Sequence, residues 1–113
     1  MKSYTDIEQS RKLAEFLPLE SADMVYAHTV DLEGDEHYDI DFRNKNPLFE
    51  DDVCAWSLAA LLGVLSDYTL QTNTDRTVFV VCDSKKPMIS DAYDNPVDAC
   101  VAMIENLHEQ NML

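Results

Sequence analysis

Glycine is nearly missing from this chain: of 113 residues, only Gly34 and Gly63 are glycine. A loop that cradles phosphate needs several glycines close together, so that backbone N–H groups can approach the ligand. The common nucleotide and dinucleotide loops are therefore excluded, and no cofactor is expected. Cations are scarce as well. Eight Lys and Arg stand against 22 Asp and Glu, for a formal net charge of -14. Nucleic acids and anionic membranes are held by Lys and Arg that displace counterions. Neither is expected as a partner. No apolar run reaches the ~18 residues that a membrane span needs. Cysteine is sparse and odd in number, at Cys54, Cys82 and Cys100. A disulfide framework needs dense, even cysteines in a secreted chain. These three read instead as small core residues of a protein in a reducing compartment. The opening Met1-Lys2-Ser3-Tyr4-Thr5-Asp6 has no apolar core and no small-residue cleavage site, so no secretory signal is predicted. The expected location is cytoplasmic.

What the chain does have is a globular composition, 46% apolar, at the length of one domain over 1–113. Its most distinctive stretch is uncharged and runs from Cys54 to Ser66. Ser57 suits a helix N-cap, because its hydroxyl can accept an orphan N–H of the first turn. Trp56 sits just before it, where an apolar residue can pack back on the helix. Leu58, Leu61, Leu62 and Leu65 follow the i, i+3, i+4, i+7 spacing of one helix face. Ala59, Ala60, Gly63 and Val64 on the other face are also uncharged. A helix apolar all round is expected to be covered all round.

Two further helices flank the chain. Thr5-Asp6-Ile7-Glu8 reads as a capping box with Thr5 as cap. It opens a helix whose inward stripe is Ile7, Ser10, Leu13, Ala14 and Leu17, stopped near Phe16 by Pro18. Asn95-Pro96-Val97-Asp98 combines an N-cap Asn, a first-position Pro and a first-turn acid. It opens the last helix, with Val97, Cys100, Val101, Ile104, Leu107 and His108 inward. Between the helices lie two hairpins. Met24 to Val30 and His37 to Phe42 flank an acidic turn in which Gly34 is free to take positive φ. Tyr68 to Thr72 and Arg76 to Cys82 flank a turn at Asn73-Thr74-Asp75. Val78 to Cys82 is apolar on both faces, as in a central strand. Arg43 to Pro47 reads as a loop and Leu48 to Val53 as irregular or one short turn, with Met88-Ile89-Ser90 a short edge strand. The fold class is α+β, in the order α-ββ-α-ββ-α, with the two antiparallel hairpins joined in one four-stranded sheet.

The chemistry-bearing residues are few. His37, Asp39 and Asp41 share one strand face, and His28 lies on the neighbouring strand. If the hairpin closes at Glu33-Gly34, His28 falls opposite Asp39. Two imidazoles and two carboxylates on one face form a set able to hold a divalent metal. The alternative is a solvated face dotted with charge. Ser57 lacks a G-x-S-x-G context and is accounted for by capping. Cys54 lies near a helix start, where a thiolate is stabilised, but no His is near it in sequence. No catalytic residue is assigned.

The helix starts at Thr5-Asp6-Ile7-Glu8-Gln9-Ser10 with Arg11-Lys12-Leu13 after it, Cys54-Ala55-Trp56-Ser57-Leu58-Ala59-Ala60-Leu61-Leu62 and Asn95-Pro96-Val97-Asp98-Ala99-Cys100 carry a resemblance. Together they resemble a family of short hypothetical proteins of gut Bacteroides-type bacteria, their mobile elements and their phages. That family has no assigned activity. The resemblance implies a cytoplasmic bacterial or phage protein and carries over no site residue. The function expected is non-enzymatic protein–protein interaction, with a protein partner or by self-association as a homo-oligomer. Two alternatives stand beside it. One is an acidic mimic of nucleic acid that inhibits a nucleic-acid-binding protein. The other is a metal-binding protein using His28, His37, Asp39 and Asp41.

Overall fold

The computed structural model describes residues 2–42, 51–65, 68–72, 79–83 and 93–111, with the backbone alone at 68–72 and 79–83. Three helices and a three-stranded antiparallel sheet make an α+β fold. In chain order these are α1 (Ile7–Ala14), β1 (Met24–Val30), β2 (Glu36–Phe42), β3 (Val53–Ala55), α2 (Leu58–Val64), β4 (Tyr68–Thr72), β5 (Phe79–Asp83) and α3 (Pro96–Glu109). The expected turns at 43–47 and 73–75, the strand at 88–90 and the burial of Val78 to Cys82 lie outside the described residues.

The sheet departs from the expected four-stranded arrangement. Its order is β2-β1-β3, while β4 and β5 pair with each other in a separate two-stranded ladder. The side of β1 away from β2 is taken by Val53–Ala55, a segment in which no strand was expected from sequence. Three residues are too few to show a period-2 pattern, so this strand has no sequence signature. The Asp52 side chain lengthens the pairing by accepting the His28 backbone N–H at 3.1 Å.

α3 is the centre of the core. Val97, Ala99, Cys100, Met103 and Ile104 are fully buried, with α2 against one side and β5 against another. The all-round burial expected of α2 therefore belongs to α3. On α2, Leu61 is buried, but Ala59 and Gly63 are exposed. The two-turn α2 leaves these two small residues uncovered although Leu58, Ala60, Leu62 and Val64 pack on the core, whereas the four-turn α3 packs on both α2 and β5. His108 of α3 is also exposed, contrary to its expected inward position, and stacks on Phe16 with ring centroids 4.0 Å apart. Burial pushes the Cys100 thiol pKa up to about 11, so it stays protonated near neutrality.

Trp56 joins the layers. It is fully buried, and its indole Nε1–H donates to Ser21 Oγ at 2.9 Å. Its backbone N–H donates to Thr5 Oγ1 at 3.1 Å, and its carbonyl accepts the Thr5 N–H at 2.9 Å. Thr5 Oγ1 also lies 2.7 Å from Ser10 Oγ, whose own proton goes to the Asp6 carbonyl at 2.6 Å. Thr5 is thus buried and occupied. The cap of α1 moves one residue on, to Asp6, which accepts the Gln9 N–H at 2.8 Å while Gln9 Oε1 accepts the Asp6 N–H at 3.2 Å. The capping box is real but is Asp6/Gln9 rather than Thr5/Glu8. The other two helix starts match the sequence: Ser57 Oγ accepts the Ala60 N–H, and Asn95 Oδ1 accepts the Asp98 N–H.

Candidate functional site

The β1–β2 hairpin carries the densest charge of one sign. No Lys or Arg occurs between Lys12 and Arg43, whereas Asp31, Glu33, Asp35, Glu36, Asp39 and Asp41 crowd the turn and β2. All six are exposed. Apolar side chains stand among them: Leu32 is fully exposed, and Phe42 and Val30 are 71% and 58% exposed.

The turn sets the register. The Gly34 N–H donates to the Asp31 carbonyl at 3.1 Å, with Gly34 at φ 86°. This is a β-turn followed by a left-handed residue, a common three-residue hairpin loop. Asp31 Oδ1 accepts the Glu33 and Asp35 N–H groups, each at 2.9 Å, and its other oxygen lies 2.9 Å from His37 Nε2. The His37 imidazole, with the Asp35, Glu33 and Gly34 backbone N–H groups, holds the Asp31 carboxyl below its usual range. Asp31 thus serves as an internal template for the turn.

This closure places His28 opposite Tyr38 rather than Asp39. A one-residue shift of register moves a strand's side chains to the other face. His28 therefore shares a face with Tyr38, its ring 5.0 Å from the tyrosine ring, while His37, Asp39 and Asp41 point the other way with Thr29, Ala27 and Val25. The structure does not bring the four metal candidates together. His28 instead faces Glu36, at 3.4 Å from Nε2, and Asp51, at 3.8 Å from Nδ1. No group of three or more metal-ligating side chains occurs among the described residues. The turn's dependence on Asp31 was missed from sequence, although an Asp opening a Gly-containing turn is a known sign.

Two other polar clusters hold structure. Ser57 Oγ donates to Asp23 Oδ2 while Asp23 Oδ1 accepts the Ser57 N–H at 2.9 Å. The hydroxyl proton and an acceptor lone pair are both committed, and the three histidines find their contacts elsewhere. Cys54 is buried in the core. At the opposite end, Lys2 Nζ reaches Asp98 at 2.8 Å, Gln9 at 2.7 Å and Asp6 at 3.2 Å, tying the N-terminal segment to α1 and α3. Burial alone would lower the Lys2 pKa, but its hydrogen bonds to Asp98 and Asp6 leave it raised. Burial alone would raise that of Asp98, but hydrogen bonds from Lys2, Asn95 and Gln9 leave it lowered.

The edge of the sheet completes the hairpin's chemistry. Among the described residues no strand pairs with the outer side of β2. No described helix is long and apolar enough to cross a membrane. No protein-family model, no curated protein and no solved structure matches this chain.

Proposed function

We propose that this protein is a non-enzymatic interaction module, acting in the cytoplasm of a bacterium or of a phage-infected cell, that meets a cationic protein surface with hairpin β1–β2. The observation that carries the reading is the exposed hairpin itself: six acids with no Lys or Arg in the hairpin's own sequence, interleaved with the exposed apolar residues Val30, Leu32 and Phe42. From outside it, the Arg11 guanidinium lies 5.9 Å from the Tyr38 ring centroid. Acids supply long-range attraction and orientation toward a basic partner, and apolar side chains supply contact once water is displaced. A nucleic-acid-binding protein is one partner of that kind, and the grouping of acids on one hairpin supports that narrower version. Self-association is the second reading, favoured by the exposed Ala59 and Gly63 on α2.

The test is capture from native cytoplasm with the wild-type chain and with Asp39→Lys/Asp41→Lys. The reading expects a partner retained by the wild type, released by salt, and lost with the double variant. Equal retention by both proteins would sink it. Displacement by duplex DNA would mark the partner as a nucleic-acid-binding protein. Sedimentation of a strict monomer across concentration would remove self-association.

A further inference from the structure

The hydrogen bonds around β1 show which backbone groups of β2 point away from β1. In an antiparallel pair, opposed residues alternate between those that exchange N–H···O bonds and those whose N–H and C=O point to the outer sides. The His28 N–H points away from β2, because it donates to Asp52 on the β3 side. His28 and its partner Tyr38 are therefore a non-hydrogen-bonded pair, and the Tyr38 N–H and C=O face outward. By the same alternation so do those of Glu36, Ile40 and Phe42. Phe42 confirms the phase: its N–H is taken by the Asp41 carboxylate at 2.8 Å rather than by β1. Among the described residues no strand pairs there, so an open edge runs along Glu36, Tyr38 and Ile40. Its two faces differ in chemistry. His37, Asp39 and Asp41 line one, and Tyr38, Ile40 and Phe42 line the other.

Resting on the acidic-hairpin reading above, we propose that this edge accepts an extended segment of the partner as an added β-strand, with Lys or Arg at alternate positions and apolar residues between them. Main-chain bonds to Glu36, Tyr38 and Ile40 give the addition its ladder. Charge complementarity selects the occupant. Its basic side chains come beside Asp39 and Asp41, at the separation where opposite charges across strands attract. Its apolar side chains cover Tyr38, Ile40 and Phe42, the last 71% exposed without it. A second copy is disfavoured at this edge, because it would set one acidic strand beside another.

The experiment uses the full chain and a peptide as long as β2 that alternates lysine with valine. Two controls share its composition: one N-methylated at every residue, one with its lysines gathered at one end. The proposal expects the alternating peptide to bind about tenfold or more tightly than either control, since the N-methylated peptide loses two or three ladder bonds and the peptide with gathered lysines cannot set them at alternate positions beside Asp39 and Asp41. It also expects slowed hydrogen exchange at the Tyr38 and Ile40 amides. Ile40→Pro removes an outward N–H without touching the β1 ladder, so it is expected to weaken the alternating peptide by about the same factor. If that variant does not fold, the N-methylated peptide decides alone. Equal binding of all three peptides at the hairpin would overturn strand addition and leave the acidic-hairpin reading standing. No binding by any of them, or binding mapped away from β2, would overturn both.

Discussion

Thr5 is the residue on which most of the interior depends. Its hydroxyl accepts the Trp56 N–H and donates to Ser10 Oγ, while its backbone bonds the Trp56 carbonyl. All three residues are fully buried. Removing the hydroxyl strands the Trp56 N–H with no water to replace it. Thr5→Val should therefore cost about 1–3 kcal/mol in urea unfolding, and Thr5→Ser less, because it keeps the hydrogen bonds. A larger loss for Thr5→Ser than for Thr5→Val would show that the methyl group, not the hydroxyl, is what matters. Asp98 and Lys2 are the residue-scale source of pH dependence. The Asp98 pKa is lowered in the fold, so its contribution is full above the unfolded value near 3.8 and lost as pH falls through the lower folded value. The Lys2 pKa is raised, so its contribution is full below about 10.5 and lost as pH climbs through the higher folded value. The link is constant through the neutral range and fails at both extremes. Acid titration of melting temperature should fall more steeply in the wild type than in Asp98→Asn.

At the scale of elements, α2 and α3 exchange the roles their sequences suggest. α2 is apolar on every side yet leaves Ala59 and Gly63 exposed, because only seven residues lie along the rim. Gly63 has no atom within 4 Å of where a Cβ would stand, and its φ is not in the left-handed region. Gly63→Ala should thus stabilise the protein by about 0.5–1 kcal/mol, through helix propensity and a less flexible unfolded chain. Thermal melting reads this directly. A loss of stability would mean that the exposed strip is covered in solution, which would revive self-association through α2. The hairpin shows the opposite relation between element and residue. Met24 to Val30 and His37 to Phe42 are plain in the sequence as alternating, β-branched and aromatic runs, and the strands lie there. Their register was not plain. It depends on how Asp31 and Gly34 close the turn, and a closure one residue different would have assembled His28, His37, Asp39 and Asp41.

Over the whole molecule, the net charge of -14 is the dominant fact. Like charges repel across a compact surface and screening relieves them. Raising salt from low ionic strength should increase the melting temperature, even though it weakens the surface pairs Lys2–Asp6 and Lys12–Glu105. A fall would show that those few pairs outweigh the general repulsion. The same salt should weaken binding of a basic partner. On the proposed reading, stability and recognition are thus expected to move in opposite directions with ionic strength, a relation that one titration series can measure.

The sequence by itself determined the class of fold, the three helix segments, the hairpin strands and the acidic character of the surface. Those properties follow from local spacing, capping chemistry and composition, which act within a few residues of chain. Tertiary structure alone decided that Val53–Ala55 pairs with β1, that α3 and not α2 is surrounded, and that Thr5 is buried rather than capping. It also decided which face of β1 carries His28. Each of these depends on contacts between segments far apart in the chain, where a short strand, a hydroxyl or a one-residue register is selected by what packs against it.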